Sequence, residues 1–148
     1  MKKTVLTAML VVGAVGMNAQ EIRNTLSKEN IRPLECEHIQ KIDLANQDTI
    51  EYVYCGFQNA KYTSIVDIGS VFISSQASLD ELIDALKTAL KLKTENSSLT
   101  YAFSAAGSEF NTYDFNKVAL YIQDGRKYTS ISMKNLAKWI EYLETIQL

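Results

Sequence analysis

The chain has 148 residues, of which 47% are hydrophobic and 22% are charged, with one proline, six glycines and a formal net charge of -2. This ordinary apolar content and the few turn-breaking residues exclude a disordered, collagen-like or low-complexity protein. The length suits one domain of modest size. The chain has a single histidine, two cysteines and no glycine-rich phosphate loop. Most catalytic and cofactor-binding motifs require residues that it therefore lacks. The sequence therefore predicts no cofactor.

The first 19 residues are typical of a cleaved signal peptide. Lys2 and Lys3 form a positively charged start, residues 5–17 form an apolar run, and Ala19 supplies a small residue at the cleavage site. The run of about 13 residues is shorter than the roughly 20 residues that a membrane-spanning helix needs. The Lys-Lys start and the Ala-Gln junction resemble the leaders of exported proteins of the Bacteroidetes. We therefore expect residues 1–19 to be removed and the mature protein to be periplasmic or secreted.

The charge of the mature chain argues against a nucleic-acid partner. Removal of Lys2 and Lys3 leaves 13 basic and 17 acidic residues, a net charge of about -4. A nucleic-acid binder needs a concentrated basic surface to contact phosphates, and the chain contains no block of like charge. After cleavage of the leader, no segment is apolar for long enough to be a transmembrane helix. The partners that remain are an unknown protein, a glycan or a second copy of the chain.

Hydrophobic periodicity divides the mature chain into an N-terminal arm and a single α+β domain. Residues 20–34 are polar and are expected to form an arm or a short helix that Pro33 ends. Residues 35–148 form the predicted domain. Apolar residues at three- and four-residue spacing predict helices over 78–93, capped by Ser78, and over 133–146, capped by Ser132. Alternating segments predict strands at 36–43, 48–57, 61–68, 69–75, 98–105, 109–114, 117–123 and 127–131.

This order predicts an antiparallel sheet packed against two helices, because neither apolar helix face can be buried without the sheet. It also suggests a duplication of residues 36–93 as 98–147. Gly69 precedes an aromatic residue by three positions and then a serine cap and an apolar helix, and Gly125 does the same. Coincidence between two ordinary strand-to-helix junctions is the alternative. The element order resembles the β4α-β4α layout of the Whirly-type family. That family binds single-stranded nucleic acid, which the acidic charge of this chain disfavours.

The two cysteines are predicted to face each other across a hairpin. If residues 44–47 form its loop, Asp43 lies opposite Asp48, and Cys36 then falls opposite Cys55. Opposed thiols in an oxidising compartment are expected to form a disulfide. Two separate buried thiols are one alternative. A zinc site is another, with Cys36, His38 and Cys55 as ligands, although a fourth ligand is missing.

Tyrosine is the other unusual feature, with eight residues against five phenylalanines and one tryptophan. Tyrosine combines a large contact area with a polar group and is enriched at interfaces. Half-buried sheet positions also favour it, so packing is the competing interpretation. The candidate binding residues are Tyr52, Tyr54, Tyr113, Trp139 and Tyr142.

The residues best fit an exported, non-enzymatic binding or interaction module. The sequence predicts no catalytic residue. The alternative is a small carboxylate-dependent hydrolase that acts on a glycan or a peptide. A glycosidase needs two carboxylates at a defined separation in a cleft, and the sequence alone indicates no such cleft.

Overall fold

The computed structural model describes residues 21–62, 64, 66–113, 117–122 and 126–148, with the backbone alone at 113 and 122. The predicted signal peptide and the turn at 123–125 lie outside the described residues. The elements in chain order are β1 (Glu21–Ile31), β2 (Leu34–Asp43), β3 (Asp48–Gln58), β4 (Ile68–Ile73), α1 (Gln76–Glu95), β5 (Tyr101–Ala105), β6 (Ser108–Tyr113), β7 (Lys117–Ile122), β8 (Lys127–Ser132) and α2 (Met133–Leu143).

The fold belongs to the α+β class and repeats a β4α unit in its element order, as predicted. The strands form two four-stranded antiparallel sheets, β1-β2-β3-β4 and β5-β6-β7-β8, rather than one. Each sheet is a series of hairpins, so its strand order follows the chain. The 20 residues of α1 interrupt this series between β4 and β5, and the second set of hairpins forms its own sheet.

The first sheet begins with the segment that we expected to be an arm or a short helix. Residues 21–31 form β1, which pairs with β2 along its whole length and shifts register once, between Thr25 and Ser27. Most of its side chains are exposed, and only Ile31 is buried. This explains why its sequence lacks a clear apolar alternation: β1 is an edge strand, and its pairing depends mainly on backbone hydrogen bonds.

The strand predicted over residues 61–68 is not found in the described part of that segment, and β4 begins only at Ile68. Residues 61, 62, 64, 66 and 67, which the structure describes, lie outside any strand. The Asn59 backbone N–H donates to the Asp67 carbonyl at 2.7 Å and closes the connection between β3 and β4. The Asn59 side-chain oxygen also accepts from the Lys61 N–H at 3.1 Å. These bonds hold the chain in a turn, so β1 rather than this segment supplies the fourth strand of the sheet.

Both predicted helices are present, and the serine cap of α2 is confirmed. The Ser132 hydroxyl accepts from the Asn135 N–H at 3.2 Å. The predicted cap of α1 was wrong by three residues, because Ser75 accepts from the Ser78 N–H and α1 begins at Gln76. The intervening residues, Gln76 and Ala77, are compatible with a helix and extend its start. No helix in the described part of the chain is both long and apolar enough to cross a membrane.

The inward faces of both sheets and the apolar faces of both helices meet in one buried cluster. Leu79, Leu82 and Leu86 enter it from α1, and Leu136 and Trp139 enter it from α2. Burial of these side chains is the main favourable contribution to the free energy of folding, since each large apolar side chain contributes about 1.5–3 kcal/mol when it is removed from water.

The β2–β3 hairpin has the predicted register. Asp43 pairs with Asp48, and Cys36 pairs with Cys55. The two Cα atoms are 4.1 Å apart and the sulfurs lie at disulfide-bonding distance. Both cysteines are fully buried in the shared cluster. The bond therefore joins the two central strands of the first sheet on the side that faces the core.

A buried polar junction joins the two sheets. Asn59 is fully buried, and its side-chain oxygen accepts from the Tyr128 N–H at 3.2 Å. The Tyr128 carbonyl accepts from the Ala60 N–H at 2.8 Å. The Lys127 ammonium lies 2.6 Å from the Asp67 carboxylate and donates to the Ile68 carbonyl. The end of β3 and the start of β4 are thereby tied to β8.

Reduction of the Cys36–Cys55 bond is expected to lower the free energy of unfolding by about 3 kcal/mol, the chain-entropy value for a loop of roughly 20 residues. Urea unfolding with and without reductant measures the change. A Cys36→Ala/Cys55→Ala variant is the control, and its stability should not respond to reductant. An oxidised sample whose two cysteines both react with a thiol reagent after unfolding would contradict the bond. Bound zinc in that sample would support the alternative site with His38.

Acid unfolding should report on the Asp67 junction. Hydrogen bonds from the side chains of Asn59 and Lys127 hold the pKa of Asp67 below its usual value of 3.8. Because the folded pKa is the lower one, this stabilisation is complete above the usual value and is lost as the pH falls through the folded pKa. We expect Asp67→Asn to reduce the loss of unfolding free energy between about pH 5 and about pH 2. Urea unfolding across that range measures it.

The Lys127→Met variant tests the same interaction from the other side. It removes the cation and leaves the Asn59 hydrogen bond in place, so it should also weaken the dependence of stability on acid. An Asp67→Asn variant with the acid dependence of the unmodified protein would show that the carboxylate does not stabilise the junction.

Candidate binding site

The β2–β3 register divides the first sheet into a core face and an outer face. Side chains alternate along a strand, and Val53, Cys55 and Phe57 of β3 are buried in the core. The residues between them, Tyr52 and Tyr54, therefore point away from the core. Both predicted candidates on β3 thus lie on the outer side of the sheet, where they are partly exposed.

The outer side of β3 and β4 carries a group of aromatic and apolar side chains, which we call the outer aromatic face: Tyr52, Tyr54, Ile68 and Phe72. Tyr54 pairs with Phe72 in the β3–β4 register. The ring centroids of Tyr52 and Phe72 are 4.8 Å apart. Phe72 is 51% exposed and Ile68 is 48% exposed. Large apolar side chains that touch one another and remain half in solvent are a feature of interaction surfaces.

A groove of about 510 Å³ lies beside these side chains. Its lining includes the aromatic ring of Tyr54, the apolar side chain of Ile68, the backbone at Gly56 and three charged side chains, Arg23, Glu35 and Glu37. The volume falls within the range of about 300–1,000 Å³ that is usual for ligand sites. The groove thus combines apolar surface with hydrogen-bonding groups of both charges.

Gly56 gives the Tyr54 ring its position in this groove. A Cβ atom at Gly56 would lie 3.0 Å from both Cε1 and the hydroxyl oxygen of Tyr54. The ring therefore leans over the glycine and places its hydroxyl on the groove side of the sheet. A larger residue would displace the ring, so the glycine is needed here for close approach rather than for backbone conformation.

The charged side chains of the groove are largely neutralised by one another. Arg23 donates to one oxygen of Glu37 at 3.0 Å, and Lys28 donates to the other at 2.9 Å. The hydrogen bond and the charge of Glu37 raise the pKa of Lys28. Glu35 lies two residues before Glu37 on β2 and supplies a second carboxylate. The groove lining thus holds one cation, Arg23, and two carboxylates, Glu35 and Glu37. Lys28 binds Glu37 from beside the groove, so the charge of Glu37 is balanced by two cations.

The structure does not bring the other predicted binding residues to this face. Trp139 has no exposed surface and packs near Phe110, with ring centroids 6.3 Å apart. Tyr142 lies on α2, where its hydroxyl is 3.1 Å from the Ser27 hydroxyl and ties the helix to β1. Burial raises the pKa of Tyr142. The side chain of Tyr113 lies outside the described residues. Trp139 and Tyr142 therefore have structural contacts that their position on the helix did not reveal.

His38 occupies the core side of β2 and faces a carboxylate. Its Nε2 atom is 3.3 Å from a Glu51 oxygen, and Glu51 accepts from the Gln40 amide at 3.0 Å. With the sulfurs of Cys36 and Cys55 at bonding distance from each other, no free thiolate is left to bind zinc beside His38. Within the described residues, no group of three metal-binding side chains is found.

A smaller depression of about 280 Å³ lies on the second sheet. Glu109, Asn111 and Tyr121 contribute to its lining. The Tyr121 ring pairs with Tyr128 at 5.8 Å between centroids. This depression is shallower than the groove of the first sheet and lacks a basic side chain in its lining.

Tyr54 is the one sequence candidate in the groove lining, and Arg23, Glu35, Glu37, Gly56 and Ile68 are among the lining residues that were not identified. The hairpin register pairs Glu35 with Gly56 and Glu37 with Tyr54. The predicted register therefore already placed Glu35, Glu37 and Gly56 beside the candidate Tyr54. Arg23 could not be found in the same way, because its strand was not predicted.

No protein-family model, curated protein or solved structure matches the chain. The candidate site therefore rests on the geometry of the outer aromatic face and its groove.

Proposed function

We propose that this protein is an exported, non-enzymatic binding module that contacts its partner through the outer aromatic face. The observation that carries the proposal is the group of Tyr52, Tyr54, Ile68 and Phe72, which lie on one side of the sheet and are partly exposed, with the rings of Tyr52 and Phe72 in contact. Removing such a surface from water on binding is favourable by about 25 cal/mol per Å² of apolar area. Tyrosine side chains add hydrogen bonding at little cost in conformational entropy.

The strand pairing and the disulfide behind the outer aromatic face favour a preformed site. Tyr52 and Tyr54 lie on β3, which is hydrogen-bonded on both sides, to β2 and to β4. The Cys36–Cys55 bond crosses the same two central strands on the core side. A rigid sheet loses little entropy on binding, so more of the contact energy contributes to affinity.

Export is part of the proposal for two reasons. The first 19 residues have the charge and hydrophobicity of a signal peptide. The disulfide is the kind of bond that persists in oxidising compartments such as the periplasm or the extracellular space. A periplasmic or secreted location is consistent with both features.

An Ile68→Ser/Phe72→Ser variant tests the contact surface. Both side chains are about half exposed, so their replacement should remove apolar contact area while the fold is retained. The mature protein is immobilised and exposed to the fractionated exported material of the organism that encodes it. We expect a component that the unmodified protein retains and the variant retains at least about tenfold less, the effect of losing about 1.4 kcal/mol.

An Ile22→Ser/Leu44→Ser variant is the matched control, because it removes exposed apolar side chains, one on β1 and one in the β2–β3 loop, that lie outside this face. It should retain the component as the unmodified protein does. Equal retention by all three proteins would contradict the proposed contact surface. Progressive cleavage of the retained component by the pure protein would contradict a non-enzymatic function and support the hydrolase. Sedimentation equilibrium identifies the case in which the partner is a second copy.

A further inference from the structure

We propose that the groove beside Tyr54 binds a neutral oligosaccharide. This inference rests on the proposed function and names the chemical class of the ligand. It depends on three properties of the groove: its paired charges, its aromatic and apolar walls, and its position on the face of the sheet rather than at an edge.

The charge arrangement favours an uncharged ligand with many hydroxyl groups. Arg23 and Lys28 both bind Glu37, at 3.0 and 2.9 Å, and Glu35 provides a second carboxylate at the groove. An anionic ligand would meet the Glu35 carboxylate, and a cationic ligand would meet Arg23; either one would also compete with the pairs that Arg23 and Lys28 form with Glu37. A sugar hydroxyl can donate to a carboxylate and accept from a guanidinium at the same time, so it uses this arrangement without disrupting it.

The walls of the groove suit the apolar face of a sugar ring, as its charged groups suit the hydroxyl groups. One side of a pyranose often carries C–H groups that are slightly positive, and the face of an aromatic ring is slightly negative. Tyr54 supplies such a ring in the groove, with its hydroxyl above Gly56. Ile68 supplies apolar surface, and it is 48% exposed in the absence of a ligand. The volume of about 510 Å³ accommodates part of a longer chain, and the open groove allows the rest to extend beyond it.

The position of the groove disfavours an extended peptide. A peptide that binds to a sheet usually adds a strand at an edge, where unpaired backbone groups supply its hydrogen bonds. Glu35, Glu37, Tyr54 and Gly56 lie on β2 and β3, which are the two central strands. Their backbone groups pair within the sheet. Arg23 and Ile68 line the groove from the edge strands β1 and β4, and the Ile68 carbonyl already accepts from Lys127, so the centre of the groove offers side chains and not a strand edge. A ligand recognised through its hydroxyl groups fits this better than one recognised through its backbone.

Isothermal titration of the mature protein with neutral hexasaccharides tests the inference. The probes are β-1,4-linked glucose, mannose, xylose and N-acetylglucosamine, and α-1,4-linked glucose. We expect at least one of them to bind, and Tyr54→Ala to weaken that binding about tenfold or more, since an aromatic contact and a hydrogen bond are both lost. A Tyr121→Ala variant on the second sheet is the matched control and should bind as the unmodified protein does.

Gly56→Ala provides a second variant that keeps the tyrosine. Its Cβ would lie 3.0 Å from the Tyr54 ring, so the ring has to move while the strand pairing is preserved. We expect a comparable loss of affinity with little change in the melting temperature. Glu35→Gln removes a charge and keeps the shape, and it should weaken binding because a hydrogen bond to a charged group is stronger than one to a neutral group.

Several results would overturn the inference. They are no binding by any neutral hexasaccharide at millimolar concentration, tighter binding of polygalacturonate or heparin, and binding that Tyr54→Ala and Gly56→Ala leave unchanged. If any one of these results is found and the protein still retains a partner protein through Ile68 and Phe72, the glycan inference fails and the proposed binding function stands. If the pure protein shortens a bound hexasaccharide, the glycan ligand stands and the non-enzymatic function fails.

Discussion

The register of the β2–β3 hairpin is the constraint on which the rest of the structure depends. It places Cys36 opposite Cys55 and directs Val53 and Phe57 to the core. A shift of one residue would turn every one of these side chains to solvent, because the side-chain period of a strand is two. The same register directs Tyr52 and Tyr54 outward. The core and the candidate site are therefore two consequences of one pairing, and the disulfide holds that pairing on the buried side.

The second level of organisation is the way the two β4α units share one core. Neither four-stranded sheet could bury its apolar face with one helix in isolation, and the cluster takes side chains from both sheets and both helices. At the edge of this cluster, polar contacts replace apolar ones. Asn59 joins the first sheet to β8, and Tyr142 joins α2 to β1 through Ser27. Each of these groups is hydrogen-bonded, as burial requires.

The candidate site combines residues of a central strand, which the sequence predicts, with residues of an edge strand, which it does not predict. Tyr54 and Gly56 belong to a central strand, whereas Arg23 and Lys28 belong to β1 at the edge. The polar character of β1 makes it a poor contributor to the core, yet it supplies both cations that bind Glu37. Exposed ion pairs contribute little to stability. Their effect here is to orient the charged side chains around the groove and to reduce its net charge.

The sequence by itself determined the features that depend on short-range periodicity. The two helices, the loop at residues 44–47 and the cysteine pairing all follow from spacing along one or two neighbouring segments. The α+β class followed from these elements. In each case the physical cause is local: an apolar period of three to four residues, an alternation of two, or a turn that aligns adjacent strands.

Only the tertiary structure decided the features that depend on distant partners. The polar residues of β1 become a strand because β2 offers them a hydrogen-bonding edge. The described residues between 61 and 67 do not, because the Asn59 N–H binds the Asp67 carbonyl and closes a turn. Trp139 lies beside the apolar stripe of its helix, but it is fully buried and packs near Phe110 of the second sheet. Arg23 of β1 reaches Glu37 of the neighbouring strand β2. Such contacts join residues that are far apart in the chain, and their geometry is set by packing rather than by periodicity.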